Sequence, residues 1–229
     1  MGNKAGKFAL KPKDVTAAQA GTRFTKEEIE ALYFHFVSLR DDGAAAPKGL
    51  GEVVNLTQFQ RGLGFTGASS LFVERVFQVM FDVEGSGWID FKKFVDGIHR
   101  LSSYESQENK IRMSYAVHNL SGAAGICRED LMRMLSACLH ENDVAVPSKD
   151  VEALVERTFA SFDADGDGFI SPEEYRLMVE ADKSVLAPLT MNVPELIAAA
   201  KADAVAAAAA AAAGSPAAAS GRLSGSGRG

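Results

Sequence analysis

Residues 163–174 have the sequence DADGDGFISPEE, in which aspartates alternate with small residues. A twelve-residue calcium loop takes carboxylates at positions 1, 3 and 5, a glycine at the sharp turn of position 6, a main-chain carbonyl at 7, a water-bridging side chain at 9 and a bidentate glutamate at 12. This segment meets each requirement, with Gly168 at the turn. It therefore predicts a calcium site with the ligands Asp163, Asp165, Asp167, Phe169 through its carbonyl, Ser171 through a water, and Glu174.

Helical patterns flank this loop on both sides. Apolar residues share one face over residues 151–162 before the loop, and Tyr175 and Met178 continue such a face after it. A helix, a calcium loop and a second helix form an EF-hand, so we predict one here. Ile170, at position 8 of the loop, is expected to pair with a partner loop through a short β-bridge.

A second loop with the same frame occupies residues 82–93, DVEGSGWIDFKK. Lys93, however, stands where the final glutamate belongs. An ammonium group there removes the bidentate carboxylate and places a like charge beside the cation, so we expect very weak calcium binding or none. The residues of this degenerate loop that still match ligand positions are Asp82, Glu84, Ser86, Trp88 and Asp90.

Two further hands are more degenerate. Residues 119–130 keep Ile126 at position 8 and Asp130 at position 12 but have no acid at positions 1 and 3, so we expect a silent loop that places Ile126 beside Ile170. A remnant of a first hand precedes Asn55, after a helix predicted over residues 25–39. The pattern predicts an all-α fold of four helix–loop–helix units in two EF-hand lobes, with three degenerate loops and short β-bridges between paired loops.

The two ends of the chain differ from this repeat in composition. Residues 1–23 are basic, and the chain from residue 198 is rich first in alanine and then in glycine and serine. We predict five parts: a basic N-terminal arm at 1–23, an N-terminal lobe at 24–101, a C-terminal lobe at 102–184, a helical Ala-rich segment at 185–213 and a disordered tail at 214–229. Beyond Ile197 we expect little apolar burial.

Composition and charge exclude several classes of protein. The 229 residues carry 24 Lys and Arg against 30 Asp and Glu, and the resulting formal charge of -6 argues against a nucleic-acid binder. Two cysteines are too few for a disulfide scaffold, and no stretch resembles a transmembrane helix. No nucleophile–base set, phosphate loop or catalytic metal site appears, so we do not expect an enzyme. We expect a cytoplasmic protein.

The N-terminal sequence MGNKAGK adds a membrane alternative to this location. Gly2 is compatible with N-myristoylation, although Gly6 stands where a serine or threonine is usual. An acyl chain and the nearby lysines would together supply the two signals that stable anchoring needs. The competing interpretation is a solvated, flexible basic arm.

Residues 27–191 resemble the calcineurin B and calcineurin B-like calcium sensors. The matching segments are EEIEALYFHF (27–36), SLFVERVFQVMFDVEGSGWIDFKKFVDGI (70–98), ENKIRMSYAVHNL (108–120) and VEALVERTFASFDADGDGFISPEEYRLMVE (151–180). The long first loop is also similar to that of the axonemal sensor calaxin. The resemblance implies that an apolar groove holds the amphipathic helix of a partner, which is a kinase or phosphatase catalytic subunit or, for the calaxin type, a motor-associated subunit of the cilium. Fewer loops are intact here than in the calcineurin B pattern.

Two functions from different classes remain open. In the first, the chain is a sensor with about one strong Ca²⁺ site, and calcium at the fourth hand reorients the exiting helix and exposes apolar surface. A C-terminal segment containing Leu186, Leu189, Leu196 and Ile197 would then occupy the groove until a target displaces it. In the second, the chain is a constitutive structural or regulatory subunit with little calcium dependence, which three degenerate loops would suit.

Overall fold

The computed structural model describes residues 10–40, 49, 51–62, 70–141, 143–189 and 193–213. These residues are mainly helical, and the prediction of an all-α EF-hand fold is confirmed. The α-helices are α1 (Pro12–Gln19), α2 (Lys26–Ser38), α3 (Leu56–Gly62), α4 (Leu71–Val76), α5 (Phe91–Leu101), α6 (Gln107–His118), α7 (Arg128–Glu141), α8 (Ser148–Phe162), α9 (Pro172–Ala181) and α10 (Val193–Ala213). Helix α4 continues as a π-helical segment, Phe77–Phe81, and a 3-10 helix covers Lys183–Leu189.

Short antiparallel strands join the loops in pairs. They are β1 (Val53–Asn55) with β2 (Trp88–Asp90), and β3 (Ile126–Cys127) with β4 (Phe169–Ile170). Ile126 lies opposite Ile170, as the sequence predicts, and Val54 lies opposite Ile89. The register at Val54 identifies the first hand, which the sequence shows only as a remnant, as the partner of the second.

The same cap opens the exiting helix of every hand. The side chain at loop position 9 accepts a hydrogen bond from the backbone amide at position 12, which satisfies one of the amides that a helix N-terminus leaves unpaired. The pairs, with the acceptor first, are Asn55 and Gln58 (2.9 Å), Asp90 and Lys93 (2.8 Å), Cys127 and Asp130 (3.4 Å), and Ser171 and Glu174 (3.3 Å). The fourfold repeat is therefore visible at single residues, including those of the first hand.

Two clusters of buried apolar residues form the core. The larger cluster comes mostly from residues 15–101, and the smaller one is built around Phe159, Ile170 and Tyr175. Val117 and Met134 lie beyond residue 101 but pack into the larger cluster. The packing is therefore continuous across the predicted boundary between the lobes, and the boundary itself stays a prediction.

Helix α4 connects the two lobes by hydrogen bonds. At its N-terminus, the carboxylate of Glu141 on α7 accepts hydrogen bonds from the Ser70 hydroxyl (2.7 Å) and the Leu71 amide (2.9 Å). One turn later, the guanidinium of Arg75 donates to three carbonyls within residues 116–119, at distances of 2.8, 3.0 and 3.4 Å. The end of α6 and the start of the third loop are thus held by a helix of the first lobe.

Both ends of the chain are more folded than the sequence suggests. Helix α1 lies within the segment predicted as a basic arm, and its Val15 and Ala18 are buried in the larger cluster. Helix α10 packs on α2, and beyond Ile197 a single described residue, Ala200, is buried, at 1% exposed. The proposed lipidation site, Gly2, and the tail at 214–229 lie outside the described residues. Among the described helices, none has the length and apolarity needed to cross a membrane.

Candidate calcium site and the degenerate loops

The fourth loop brings three of its predicted ligands together. Carboxylate oxygens of Asp163, Asp165 and Glu174 lie within 4.8 Å of one another, and this is the one cluster of three metal-ligating side chains in the part of the chain that the structure describes. Asp167 is not part of the cluster, and its carboxylate accepts a hydrogen bond from the amide of Phe169 (2.8 Å). The other predicted ligands, at positions 7 and 9, lie on β4 and at the start of α9.

Backbone amides hold these carboxylates in place. The amide of Gly168 donates to Asp163 (3.1 Å), and the amides of Ser171 (2.8 Å) and Ala164 (2.7 Å) donate to the two oxygens of Glu174. The hydrogen bond from Ser171, supported by the one from Ala164, lowers the pKa of Glu174 although partial burial opposes it. Glu174 is therefore a carboxylate at neutral pH, as a calcium ligand must be.

One oxygen of the loop lacks a partner. Oδ1 of Asp163 is buried and accepts no hydrogen bond from the residues that the structure describes. Leaving a buried carboxylate oxygen unpaired is costly, and a cation bound between Asp163, Asp165 and Glu174 would remove that cost. The donor set is all oxygen and carries several negative charges, which fits Ca²⁺.

Behind the loop, Tyr175 ties the exiting helix α9 to α6. Its ring is 1% exposed, and its hydroxyl lies 2.6 Å from Oγ of Ser114 and 3.3 Å from Nδ1 of His118. Burial raises the pKa of Tyr175 to about 12, so the hydroxyl stays protonated at neutral pH. The sequence indicated Tyr175 only as an apolar flank, and its polar contacts depend on α6, which is distant in sequence. Tyr175 directly follows Glu174 and is hydrogen-bonded to α6. A shift of the Glu174 carboxylate would therefore also move a residue that is bound to α6.

Comparison with known proteins agrees with this arrangement. The EF-hand family model matches residues 154–179, which contain the fourth loop. The calcineurin B subunit of Naegleria gruberi is 28% identical over 167 residues, covering 73% of this chain and 87% of that protein. The calcineurin B subunit of Candida glabrata is 26% identical over 75% of this chain and 90% of its own length, and the type 2 calcineurin B subunit of Bos taurus is 26% identical over 72% and 89%.

This chain contains an EF-hand and is similar to the calcineurin B subunits. It is a calcium-binding regulatory protein, and the prediction that it is not an enzyme is confirmed by the relatives. The fourth loop carries the EF-hand match. The identity of each ligand and the number of calcium sites stay predictions.

In the second loop, the side chains at ligand positions bond to other residues of the same loop. Nζ of Lys93 lies 2.7 Å from Oε2 of Glu84, and this hydrogen bond raises the pKa of Lys93. The carboxylate of Asp82 accepts hydrogen bonds from the amide (3.0 Å) and hydroxyl (2.8 Å) of Ser86 and from the amide of Gly87 (2.5 Å). The carbonyl of Trp88 also accepts a hydrogen bond from Ser86, and Asp90 caps α5. Each residue of the degenerate ligand set is therefore hydrogen-bonded to another residue of the loop.

In the third and first loops, the position-12 side chains also accept hydrogen bonds from residues of their own loop. In the third, Asp130 is 2% exposed and accepts a hydrogen bond from the Ser121 hydroxyl (2.7 Å). In the first, Gln58 is 3% exposed and its side chain accepts one from the amide of Asn55 (3.0 Å). Neither loop needs an ion to pair these buried groups, which agrees with the prediction that both are silent.

Proposed function

We propose that this chain is a calcium-responsive regulatory subunit that binds the amphipathic helix of a protein partner. The observation that carries the proposal is the fourth loop, where three carboxylates converge and one buried oxygen of Asp163 has no partner among the described residues. The relatives are named as subunits of calcineurin, which supports a partner protein. We propose a kinase- or phosphatase-type catalytic subunit as that partner, with a motor-associated subunit as the alternative.

Apolar surface for such a helix is available on the second lobe. Several apolar side chains pack against the smaller core cluster but are only partly buried: Leu131, Met132, Leu135, Phe162 and Met178. Leu154 is 43% exposed and Leu177 is 58% exposed on the neighbouring helices α8 and α9. Methionine and leucine side chains of this kind adapt to the face of a bound helix.

The C-terminal segment already covers part of the apolar surface. Leu186 belongs to the smaller cluster, whereas Leu189 and Ile197 belong to the larger one, so residues 186–197 reach both cores. The 3-10 helix that holds Leu186 packs against α9, the exiting helix of the calcium loop. Calcium favours partner binding only if it binds better to the form in which this segment is displaced.

A constitutive subunit is the second candidate. The observation in its favour is that the position-12 side chains of the three degenerate loops, Gln58, Lys93 and Asp130, are all hydrogen-bonded within their own loops. A protein with three such loops can hold a partner at any calcium concentration. One competent loop then limits how far calcium shifts the equilibrium.

Glu174→Gln tests the choice between these functions. We expect the substitution to weaken calcium binding by about 100-fold, or about 2.8 kcal/mol, since it removes the bidentate ligand and one charge. Glu173→Gln is the matched control, because Glu173 is the exposed neighbour on the same helical turn. Calcium titration counts the sites, and affinity capture with and without a chelator identifies the partner.

The outcomes separate the two candidates. A sensor captures its catalytic partner only in calcium, with wild type and Glu173→Gln but not with Glu174→Gln. Capture that persists in chelator and in Glu174→Gln supports the constitutive subunit instead. Calcium titration that is unchanged by Glu174→Gln would contradict the assigned site.

A further inference from the structure

The second EF-hand contains a cation that belongs to the chain itself. The Lys93 side chain starts at position 12 and reaches back across the loop to Glu84 at position 3, with 2.7 Å between Nζ and Oε2. Its side chain is 27% exposed, although lysines on helix surfaces usually extend into solvent. We propose that the Lys93 ammonium is a tethered cation that takes the place of Ca²⁺ in the second loop.

Asp82 and Asp163, which both stand at position 1, differ in how their carboxylate oxygens are paired. In the fourth loop, Oδ1 of Asp163 is buried and unpaired among the described residues. In the second loop, both oxygens of Asp82 accept hydrogen bonds from Ser86 and Gly87, although Asp82 is only 4% exposed. In the second loop, therefore, both carboxylate oxygens at position 1 already have hydrogen-bond partners.

The second loop carries several negative charges that a cation would balance. Asp82, Glu84 and Asp90 place three carboxylates within nine residues of chain, and like charges at this spacing repel unless a cation lies among them. Lys93 supplies a positive charge from the position where the metal-binding glutamate normally supplies a negative one. Its backbone is fixed as well, because its amide donates to Asp90 (2.8 Å). The cap that opens α5 thus fixes where the Lys93 side chain starts, and the contact with Glu84 shows where its ammonium lies.

The second loop keeps the strand pairing that joins the third and fourth loops. β2 pairs with β1 in the same antiparallel register that joins β3 and β4, with Ile89 opposite Val54. The tethered cation therefore gives the first lobe a loop conformation that does not depend on calcium. This inference does not rest on the proposed partner or on calcium sensing by the fourth loop.

Trp88 provides a local probe for the test. It is the single tryptophan of the chain and occupies position 7 of the second loop, whose carbonyl faces the ion in a working hand. Terbium(III) binds calcium sites, and excitation at the red edge of tryptophan absorption excites Trp88 without tyrosine or phenylalanine. Terbium emission under this excitation therefore reports occupancy of the second loop, with the wild type defining the background from the fourth.

Two substitutions at residue 93 separate a filled site from an incomplete one. Lys93→Glu supplies the missing ligand and removes the cation, so it shows whether the loop frame can hold a metal at all. Lys93→Met removes only the ammonium and keeps the length of the side chain. Lys92→Met is the matched control, since Lys92 is exposed and pairs with Asp96 (2.6 Å). Circular dichroism and calcium titration of the fourth loop check that each variant is folded.

We expect Trp88-sensitised terbium emission to rise several-fold over wild type in both Lys93→Glu and Lys93→Met, and to stay at the background in Lys92→Met. Emission from Lys93→Glu alone would overturn the proposal, because the loop would then lack a ligand rather than hold a cation. No emission from a folded Lys93→Glu would overturn it too, because the second loop would then not be a cation site.

Discussion

At the scale of single residues, position 12 distinguishes the fourth loop, which is predicted to bind calcium, from the second, which is predicted to bind it very weakly or not at all. Glu174 and Lys93 follow the same kind of cap, with Ser171 and Asp90 accepting hydrogen bonds from their amides. The amide at position 12 is therefore bonded in the same way in both loops, whereas the side chain at that position differs. A carboxylate completes a site for an external cation, whereas an ammonium group brings a cation of its own.

His118 gives a prediction at this scale. Burial lowers its pKa in the folded chain, while a hydrogen bond to the carbonyl of Ser114 partly opposes the shift. Below the ordinary value of 6.5, the unfolded chain binds a proton at this residue before the folded chain does. The free energy of unfolding therefore falls as the pH drops from 6.5 until the folded-state pKa is passed, by at most about 1.4 kcal/mol per pH unit.

Replacing His118 by glutamine should remove this part of the pH dependence. Denaturant unfolding between neutral pH and pH ~5 measures the pH dependence of the free energy of unfolding. The buffer is free of calcium, because acid also protonates calcium ligands and would add a second pH dependence. Burial likewise lowers the pKa of His35, so a residual slope is expected. His140→Gln on the exposed face of α7 is the control, and equal slopes for wild type and His118→Gln would show that His118 is not buried in solution.

At the scale of secondary-structure elements, the sequence predicts features that depend on residues close together in the chain. Thr25 and Glu28 have the spacing of a capping box. That box forms with hydrogen bonds of 3.2 and 2.8 Å, and α2 begins at Lys26. The π-helical segment Phe77–Phe81 has no such signal. It places the Phe81 ring against α5 so closely that a Cβ built on Gly97 would lie 2.2 Å from it. That contact joins residues distant in sequence, so periodicity alone does not predict it.

The hydrogen bonds that Glu141 accepts at the start of α4 can be tested by substitution. Glu141 accepts hydrogen bonds from the Ser70 hydroxyl and the Leu71 amide, and Ser70 is 1% exposed. Glu141→Ala would leave both donors without this acceptor in a buried place. We expect the free energy of unfolding to fall by about 1–3 kcal/mol, measured by denaturant unfolding followed by circular dichroism.

The control for this element is Glu152→Ala on α8, where the side chain is exposed. It removes the same number of atoms and the same charge, and surface substitutions of this kind change stability by less than about 0.5 kcal/mol. Similar effects of the two substitutions would mean that α7 does not cap α4. The lobes would then be joined by apolar packing and Arg75 alone.

At the scale of the whole molecule, the C-terminal segment shows why composition is a weak guide to packing. An alanine-rich helix lacks the large apolar side chains that reveal a buried face. Leu189, Ile197 and Ala200 nevertheless lie in the larger core cluster, and Ala200 allows α10 to approach α2 closely because it has only a methyl group. The C-terminal segment therefore covers apolar surface of the larger cluster.

Ile197 tests this packing. It is 4% exposed in the larger cluster, so Ile197→Ala should lower the free energy of unfolding by about 2–4 kcal/mol through lost burial and the cavity that remains. Val205 lies on the same helix but is 69% exposed, and Val205→Ala should change it by less than about 0.5 kcal/mol. Denaturant unfolding of both variants in metal-free and calcium-containing buffer measures the difference. If both substitutions are neutral in metal-free buffer, Ile197 does not pack in the larger cluster. If Ile197→Ala is costly only without calcium, calcium displaces the segment, and the apolar surface beneath it is then available to a partner helix.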